Sequence, residues 1–481
     1  MRPSLSAPPP PQTTHFITFY SFKGGVGRTM ALLNAAHYLA AAGLDVLMID
    51  ADLEAPGLTL AHKRGRRKPA QGFIALYEEC RGFIESGAEP DDAPHKLKGY
   101  LHSLTVKTPP LPGVERPGRL ALLPAHPSDT SPDAYLRQLS ELSIREVVGK
   151  GIAVYVAEVI RARVREEGFD YALIDSRTGW SEAAGFCVLG LADALAVVSG
   201  LNEQNLLGTK DFLEFVAGRE GEAPKPVLRI LSPVPTAEED LKEKRFRRAR
   251  ELLGGEAAVQ IPYHPRIALI EEPFVVTQPD HHVTEQYRKA ARAVLALIGD
   301  DPETHLREAT RLVSEDKIEE SLSRLRRACP FAKNEVIQVL RLVITQTILA
   351  RGDVPPWGDD AFLLLTRLDP QDDIAFNNWG NHLTRLAEMV WKDKRKTAEK
   401  YFRDAEKRLR EAVSLAPEKE AYRKNLVTML KLWADKLEES GDTRAAEKKR
   451  EEAEGVSSTP ATNRKKKTPK KRPAKPRTVK K

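Results

Sequence analysis

The chain has 481 residues, enough for two or three domains of about 100–200 residues each. Hydrophobic residues make up 41% and charged residues 30%, a balance that excludes a wholly disordered or fibrous chain, and the lack of any apolar run of about 18 residues predicts no membrane span. The formal charge of +7 sits at one end: residues 464–481 hold eleven Lys/Arg and no Asp/Glu, and without them the remainder stands at −4.

Residues 1–14 are Pro/Ser-rich without an apolar stretch and read as a disordered leader rather than a signal peptide. Residues 15–300 alternate short apolar runs with helical patterns, which predicts a doubly wound, mostly parallel α/β domain. The predicted strands are 16–20, 45–49, 120–123, 171–174, 194–199, 227–231 and 257–261, several of them apolar throughout, as strands buried on both faces are. The predicted helices include 132–148, 152–167, 205–217 and 237–253, with Ser131 as N-cap and Pro132 in the first turn of the first. Residues 61–117 are rich in charge, Pro and Gly and read as a helix near 73–83 within a long insertion.

The stretch Ser21-Phe22-Lys23-Gly24-Gly25-Val26-Gly27-Arg28-Thr29 joins the first strand to a helix opening at Met30. Strand, glycine loop and helix N-terminus together present backbone N–H groups and a partial positive charge to phosphate oxygens. The common P-loop reads G-x-x-x-x-G-K-[ST], with the hydroxyl on Mg²⁺. Here a lysine comes early, at Lys23, and arginine replaces the usual lysine at Arg28, which keeps the charge in a longer, planar form. Two further acidic sites close apolar strands: Asp50-Ala51-Asp52, and Asp175 ahead of Ser176-Arg177-Thr178-Gly179.

This set of motifs resembles the deviant Walker A ATPases of the ParA/MinD type, whose loop reads KGGxGK[ST], and within them an arginine-variant KGGVGR branch. The resemblance covers about residues 15–300 and implies a P-loop NTPase domain that takes ATP and Mg²⁺. It implies that Lys23, Gly24, Gly25, Val26, Gly27, Arg28, Thr29 and Met30 cradle the nucleotide, and that Thr29, Asp50 and Asp175 serve the metal. Asp52 would orient the attacking water and Gly179 would sense the γ-phosphate. Lys23 would reach across an ATP-dependent homodimer to the partner's nucleotide, or else contact only its own phosphates. Adenine would lie beside Ser232, Pro233 and Pro262, with ATP preferred to GTP by analogy. Arginine in place of lysine leaves binding intact and makes turnover the open question: a slow ATPase, or a sensor that does not hydrolyse. Arg177 either adds charge or pairs with Asp52 or Glu54. His126, His264, His281 and His282 form no catalytic or metal arrangement and read as surface or structural residues.

Beyond about residue 300 strand signals vanish and helical periodicity runs to about 454. Asn, a bulky apolar residue and Leu fall at +8, +9 and +13 from both Pro370 and Pro417, which looks like tetratricopeptide-type hairpins; the alternative is an irregular bundle. The prolines are 47 residues apart, against about 34 for that repeat, and a charged insertion around 392–396 would explain the excess. Such a region suits a protein partner, and in the resembling branch it occurs in bacterial regulatory and suspected defence proteins. Residues 455–481 read as a disordered basic tail that either binds nucleic-acid phosphates, as in a partition-like factor, or only solubilises. Three scattered cysteines, Cys80, Cys187 and Cys329, cannot form a disulfide framework, which fits a reducing cytoplasm.

Overall fold

The computed structural model describes residues 14–61, 70–87, 97, 99–127, 129–142, 144, 151–218, 223–269, 272–349 and 354–458. The expectations for residues 1–13, for most of the tail (459–481) and for positions 145–148 of the helix read at 132–148 lie outside them. The chain forms two compact units: one takes residues up to Arg307 together with Arg327–Ala332, the other Glu308–Arg326 and residues from Lys333 onward.

The first unit is built on an eight-stranded sheet: β1 (His15–Tyr20), β2 (Val46–Ala51), β3 (His102–Leu104), β4 (Leu120–Leu123), β5 (Tyr171–Ser176), β6 (Ala194–Ser199), β7 (Val227–Val234) and β8 (Val259–Pro262). Their order is β3-β4-β2-β5-β1-β6-β7-β8. Every neighbouring pair is parallel except β3–β4. The doubly wound, mostly parallel reading therefore holds, and β3 is the strand missed. It is three residues long on an edge, with no fully buried position, so it leaves no hydrophobic signature in the sequence.

The apolar runs are explained by two-sided burial. Ile17 and Phe19 pack into one core with the helix Arg28–Ala41, while Phe16 faces a second core with the helices Phe73–Glu85 and Ala153–Glu166. Removing each such side chain from water is worth about 1.5–3 kcal/mol. Because the central strands run parallel, the ends of β1, β2 and β5 emerge on one edge, and Asp50 pairs in register with Asp175. Open parallel sheets bind ligands along that edge. At the opposite edge Asp300 accepts from His305 Nε2 and Arg327 Nη2 (both 2.7 Å) and from the Tyr171 hydroxyl, and Arg327 also meets Asp170 at 3.3 Å. This network ties Arg327–Ala332 to the first unit.

The second unit is helical. The helices Asp373–Val390 and Glu420–Glu439 begin just after Pro370 and Pro417, each followed by an antiparallel partner, Arg395–Leu415 and Thr443–Ser458. Asn425 Nδ2 donates to Asn377 Oδ1 at 2.8 Å, linking equivalent turns of the two leading helices. The 47-residue spacing has a different cause from the insertion expected at 392–396: only a short turn precedes Arg395, and the excess lies in helices of 18 and 21 residues. The last helix continues to Ser458, into the segment read as tail, because Ala453 is still buried and the residues around it favour helix. Gly380 lets Asp373–Val390 and Arg395–Leu415 meet closely, since a Cβ there would come within 2.5 Å of Leu409 Cγ.

His382 is 2% exposed in this unit, and burial, helped by the nearby Arg385 charge, lowers its pKa to about 4. An unfolded histidine takes up its proton near pH 6.5, so the folded form binds fewer protons between those values, and stability present above pH 6.5 is lost as pH falls to 4. The loss should reach up to about 3 kcal/mol. Urea unfolding followed by tryptophan fluorescence, which reports mainly here because four of the five tryptophans lie in this unit, should show it. His382→Leu should flatten the profile across that window.

Candidate functional site

β1 ends at the fully buried Tyr20, and the loop that follows turns into the helix Arg28–Ala41 through Gly27, which has φ of 80°. Only glycine adopts that left-handed conformation without strain, and a Cβ there would also stand 3.1 Å from Ser232 Oγ. Gly27 is the helix N-cap and supplies no side-chain acceptor, so the first N–H groups face the loop unpaired by a cap. A helix start of this kind presents N–H groups and a partial positive charge that suit an anion.

Beside it lies a buried ionic cluster. Arg28, only 6% exposed, turns its guanidinium onto two carboxylates: Nε donates to Asp175 Oδ1 at 2.5 Å and Nη2 to Asp52 Oδ2 at 2.7 Å. Thr29 Oγ1 donates to the second oxygen of Asp175 at 2.7 Å. Burial alone would lower the Arg28 pKa, but the facing Asp175 and Asp52 hold it above the usual value. Burial also raises the Asp175 pKa, against the Arg28 charge and the hydrogen bonds from Thr29 and Arg28, which favour the carboxylate form. Asp50, fully buried, has its pKa pushed up to about 8 by burial and then by the charge of Asp175, against hydrogen bonds from Thr59 N and Oγ1, both 2.7 Å. Its Oδ1 is buried without a hydrogen-bond partner, as is Arg28 Nη1.

The neighbouring segments are held by the same elements. Gly179 N donates to Ser21 O at 3.2 Å, placing the glycine after β5 against the base of the loop. Arg177 pairs with Glu54, which settles between the partners that the sequence left open. The Tyr135 hydroxyl donates to Leu53 O and so fastens the segment after Asp52 to the helix Pro132–Glu141. Lys23 donates from Nζ to Gln204 Oε1 at the surface.

A cavity of about 340 Å³ opens beside the loop. Of the residues proposed for the nucleotide it is lined by Gly25, Val26, Gly27, Thr29, Met30, Ser232, Pro233 and Pro262. Lys23, Gly24, Arg28 and Gly179 are not in its wall. Gly24 is an exposed part of the loop, and Arg28 points instead to the carboxylates. His264, read as surface or structural, lines the cavity, and so do Leu33, Ile267 and Tyr287, for which no local motif gives a signal. Tyr287 reaches it from the helix His282–Ala296, where its apolar face looks like any core stripe.

The family model for the CobQ/CobB/MinD/ParA nucleotide binding domain matches residues 17–347. Among solved structures, the septum site-determining protein MinD of Pyrococcus horikoshii, complexed with Mg-ADP, aligns at 20% identity over 60% of this chain and 98% of that one, with a TM-score of 0.39. A ParA family ATPase from Chlorobium tepidum aligns at 14% identity over 58% and 98%, with a TM-score of 0.39. The ATP complex of a Cyanothece McdA variant aligns at 17% over 59% and 97%, with a TM-score of 0.42. No curated protein matches the chain.

The loop is supported from behind by the helix Glu203–Ala217, where the Phe22 ring occupies the space a Cβ of Gly208 would need. Gly208→Val should therefore cost about 1–3 kcal/mol by overpacking. Adding Phe22→Ala should recover part of that loss in a thermal double-mutant cycle, because the clash is then gone. Strict additivity of the two changes would show that they do not meet.

Proposed function

The chain belongs to the CobQ/CobB/MinD/ParA nucleotide-binding family, and from that premise we propose that it is a Mg·ATP-dependent molecular switch that dimerises with ATP and hydrolyses it slowly. The observation that carries this reading is the convergence, on one sheet edge, of an uncapped glycine loop, the Thr29 hydroxyl, the carboxylates of Asp50, Asp52 and Asp175, and an adjacent cavity.

In this reading the backbone N–H groups of Gly24 to Gly27 hold the phosphates, and Ser232, Pro233 and Pro262 border the base. The orphaned Oδ1 of Asp50 and the Thr29–Asp175 pair suit a magnesium ion bound partly through water. Among the described residues no three or more Asp, Glu, His or Cys side chains form a metal group, so most ligands would come from phosphate and water. When bound, Mg²⁺ would neutralise charge on the β- and γ-phosphates. Asp52 orients the attacking water once Arg28 has left it for phosphate oxygen. Lys23, at the surface, exchanges Gln204 for the nucleotide of a second subunit. The helical unit, with its two proline-led hairpins of tetratricopeptide type, presents a protein partner with the state of the switch. A bacterial regulatory or defence role, a cytoplasmic location suggested by three cysteines that form no disulfide, and nucleic-acid contact through residues 464–481 complete the reading. One observation favours the rival, a nucleotide sensor without turnover: Arg28 is committed to Asp52, the residue turnover needs.

Calorimetry should show that Gly27→Val abolishes ATP binding while circular dichroism stays unchanged; unaltered affinity would overturn the assignment of the loop. Asp52→Ala should keep ATP bound and lower kcat by about 10²-fold or more, the share expected for a group acting in the transition state. A parent that binds ATP without turnover would select the sensor. Lys23→Ala should bind ATP as a monomer but fail to dimerise with a slowly hydrolysed analogue in light scattering. A parent that stays monomeric with that analogue removes the dimer from the reading.

A further inference from the structure

The buried cluster holds more than a nucleotide-binding reading requires. A phosphate-binding cation would be expected to point into the loop, yet Arg28 spends two of its three nitrogens on Asp175 and Asp52, at 2.5 and 2.7 Å, and leaves Nη1 buried and unpaired. Thr29 completes the shell of Asp175. Each oxygen that a divalent cation would approach on Asp175 is thus already accepting a hydrogen bond from this chain. A planar guanidinium bridges two separate carboxylates in a fixed fork, whereas a lysine ammonium is a compact charge on a flexible stem.

We propose that Arg28 is a built-in counter-cation, which in the nucleotide-free protein holds Asp52 and Asp175 in place of a divalent metal and admits the metal only together with nucleotide phosphates. This rests on the reading of Asp50, Asp52, Asp175 and Thr29 as the metal side of a nucleotide site. Two carboxylates buried side by side repel each other, and without a cation one of them must protonate or move. Arg28 removes that repulsion without metal. Incoming phosphates compete for the same guanidinium, starting at the orphaned Nη1. As they draw it away they uncover the carboxylates. Metal entry, phosphate contact and the release of Asp52 are then one event. Asp52 is withheld from water until a nucleotide is present, so the two segments after β2 and β5 stay closed in the empty protein.

The test uses the full-length chain with Mn²⁺ alone, without nucleotide, read by electron paramagnetic resonance and by thermal shift. The parent should bind Mn²⁺ negligibly and show no rise in Tm. Arg28→Met, of similar length but uncharged, should melt several degrees lower. It should bind Mn²⁺ at least about tenfold more tightly than the parent and regain part of its Tm when the ion is added. Arg28→Lys keeps the charge on a shorter, less rigid group and should fall between them, which also keeps the test open if Arg28→Met does not fold. Equal Mn²⁺ binding by parent and variants, or none by any of them, overturns the proposal. Calorimetry of Mg·ATP on the parent then tells the two failures apart: bound ATP leaves the nucleotide site standing and rejects only the counter-cation, whereas no ATP binding rejects both.

Discussion

The strand ends of the first unit depend on one buried charge arrangement, Arg28 between Asp52 and Asp175. Removing three charged groups from water carries a penalty of several kcal/mol per ion, which mutual attraction repays only when geometry and hydrogen bonding are good. Here two short contacts, a hydroxyl from Thr29 and a register that fixes Asp175 beside Asp50 supply much of that, while Arg28 Nη1 stays without a partner. Such a cluster is a weak source of stability and a strong source of definition. Its members come from the first helix and from the ends of β2 and β5, so its geometry links three chain segments that are distant in sequence.

What makes the cluster possible is the strand order. β1 lies between β5 and β6, and β2 pairs with β5, so the loop after β1 and the acidic ends of β2 and β5 emerge as neighbours. In an antiparallel sheet alternate strand ends would face away, and Asp50 and Asp175 would not share an edge. The cores on both faces hold this register because slipping a strand by one residue would exchange Ile17 and Phe19 with Phe16 between two packed interiors. Packing energy far from the site therefore sets ångström-scale distances within it.

The parts legible in the sequence are those with a local physical cause. Apolar runs reveal strands buried on both faces, a glycine loop between strand and helix reveals a helix start without a side-chain cap, and an acidic residue closing such a strand reveals where a carboxylate will stand. What stayed hidden depends on residues distant in the chain. Tyr287 and Ile267 enter the cavity by tertiary packing alone. The partner of Arg177 was a choice between two acids that spacing could not make. The edge strand β3 has no buried face to give it a pattern. The long spacing in the helical unit was read as an insertion because charge suggested a loop, whereas the charged residues of Arg395–Leu415 lie on the solvent side of a long helix whose Ala398, Phe402, Ala405 and Leu409 are buried.

Arginine at position 28 alters the logic of the loop more than its charge. A lysine there would be free to wait for phosphate, leaving carboxylates that need a metal or a proton. Arginine satisfies them in advance, and the two states of the site then differ in which anions the guanidinium serves. A ligand moves such an equilibrium only by the difference in its affinity for the two states. In the proposed switch, nucleotide phosphates would offer that difference by replacing both carboxylates as partners of Arg28. An adenosine lacking phosphates would offer none, however well it filled the cavity. Discrimination by phosphate content would thus arise from the loop itself before any contact to the γ-phosphate is made, with the base side of the cavity contributing affinity but no switching.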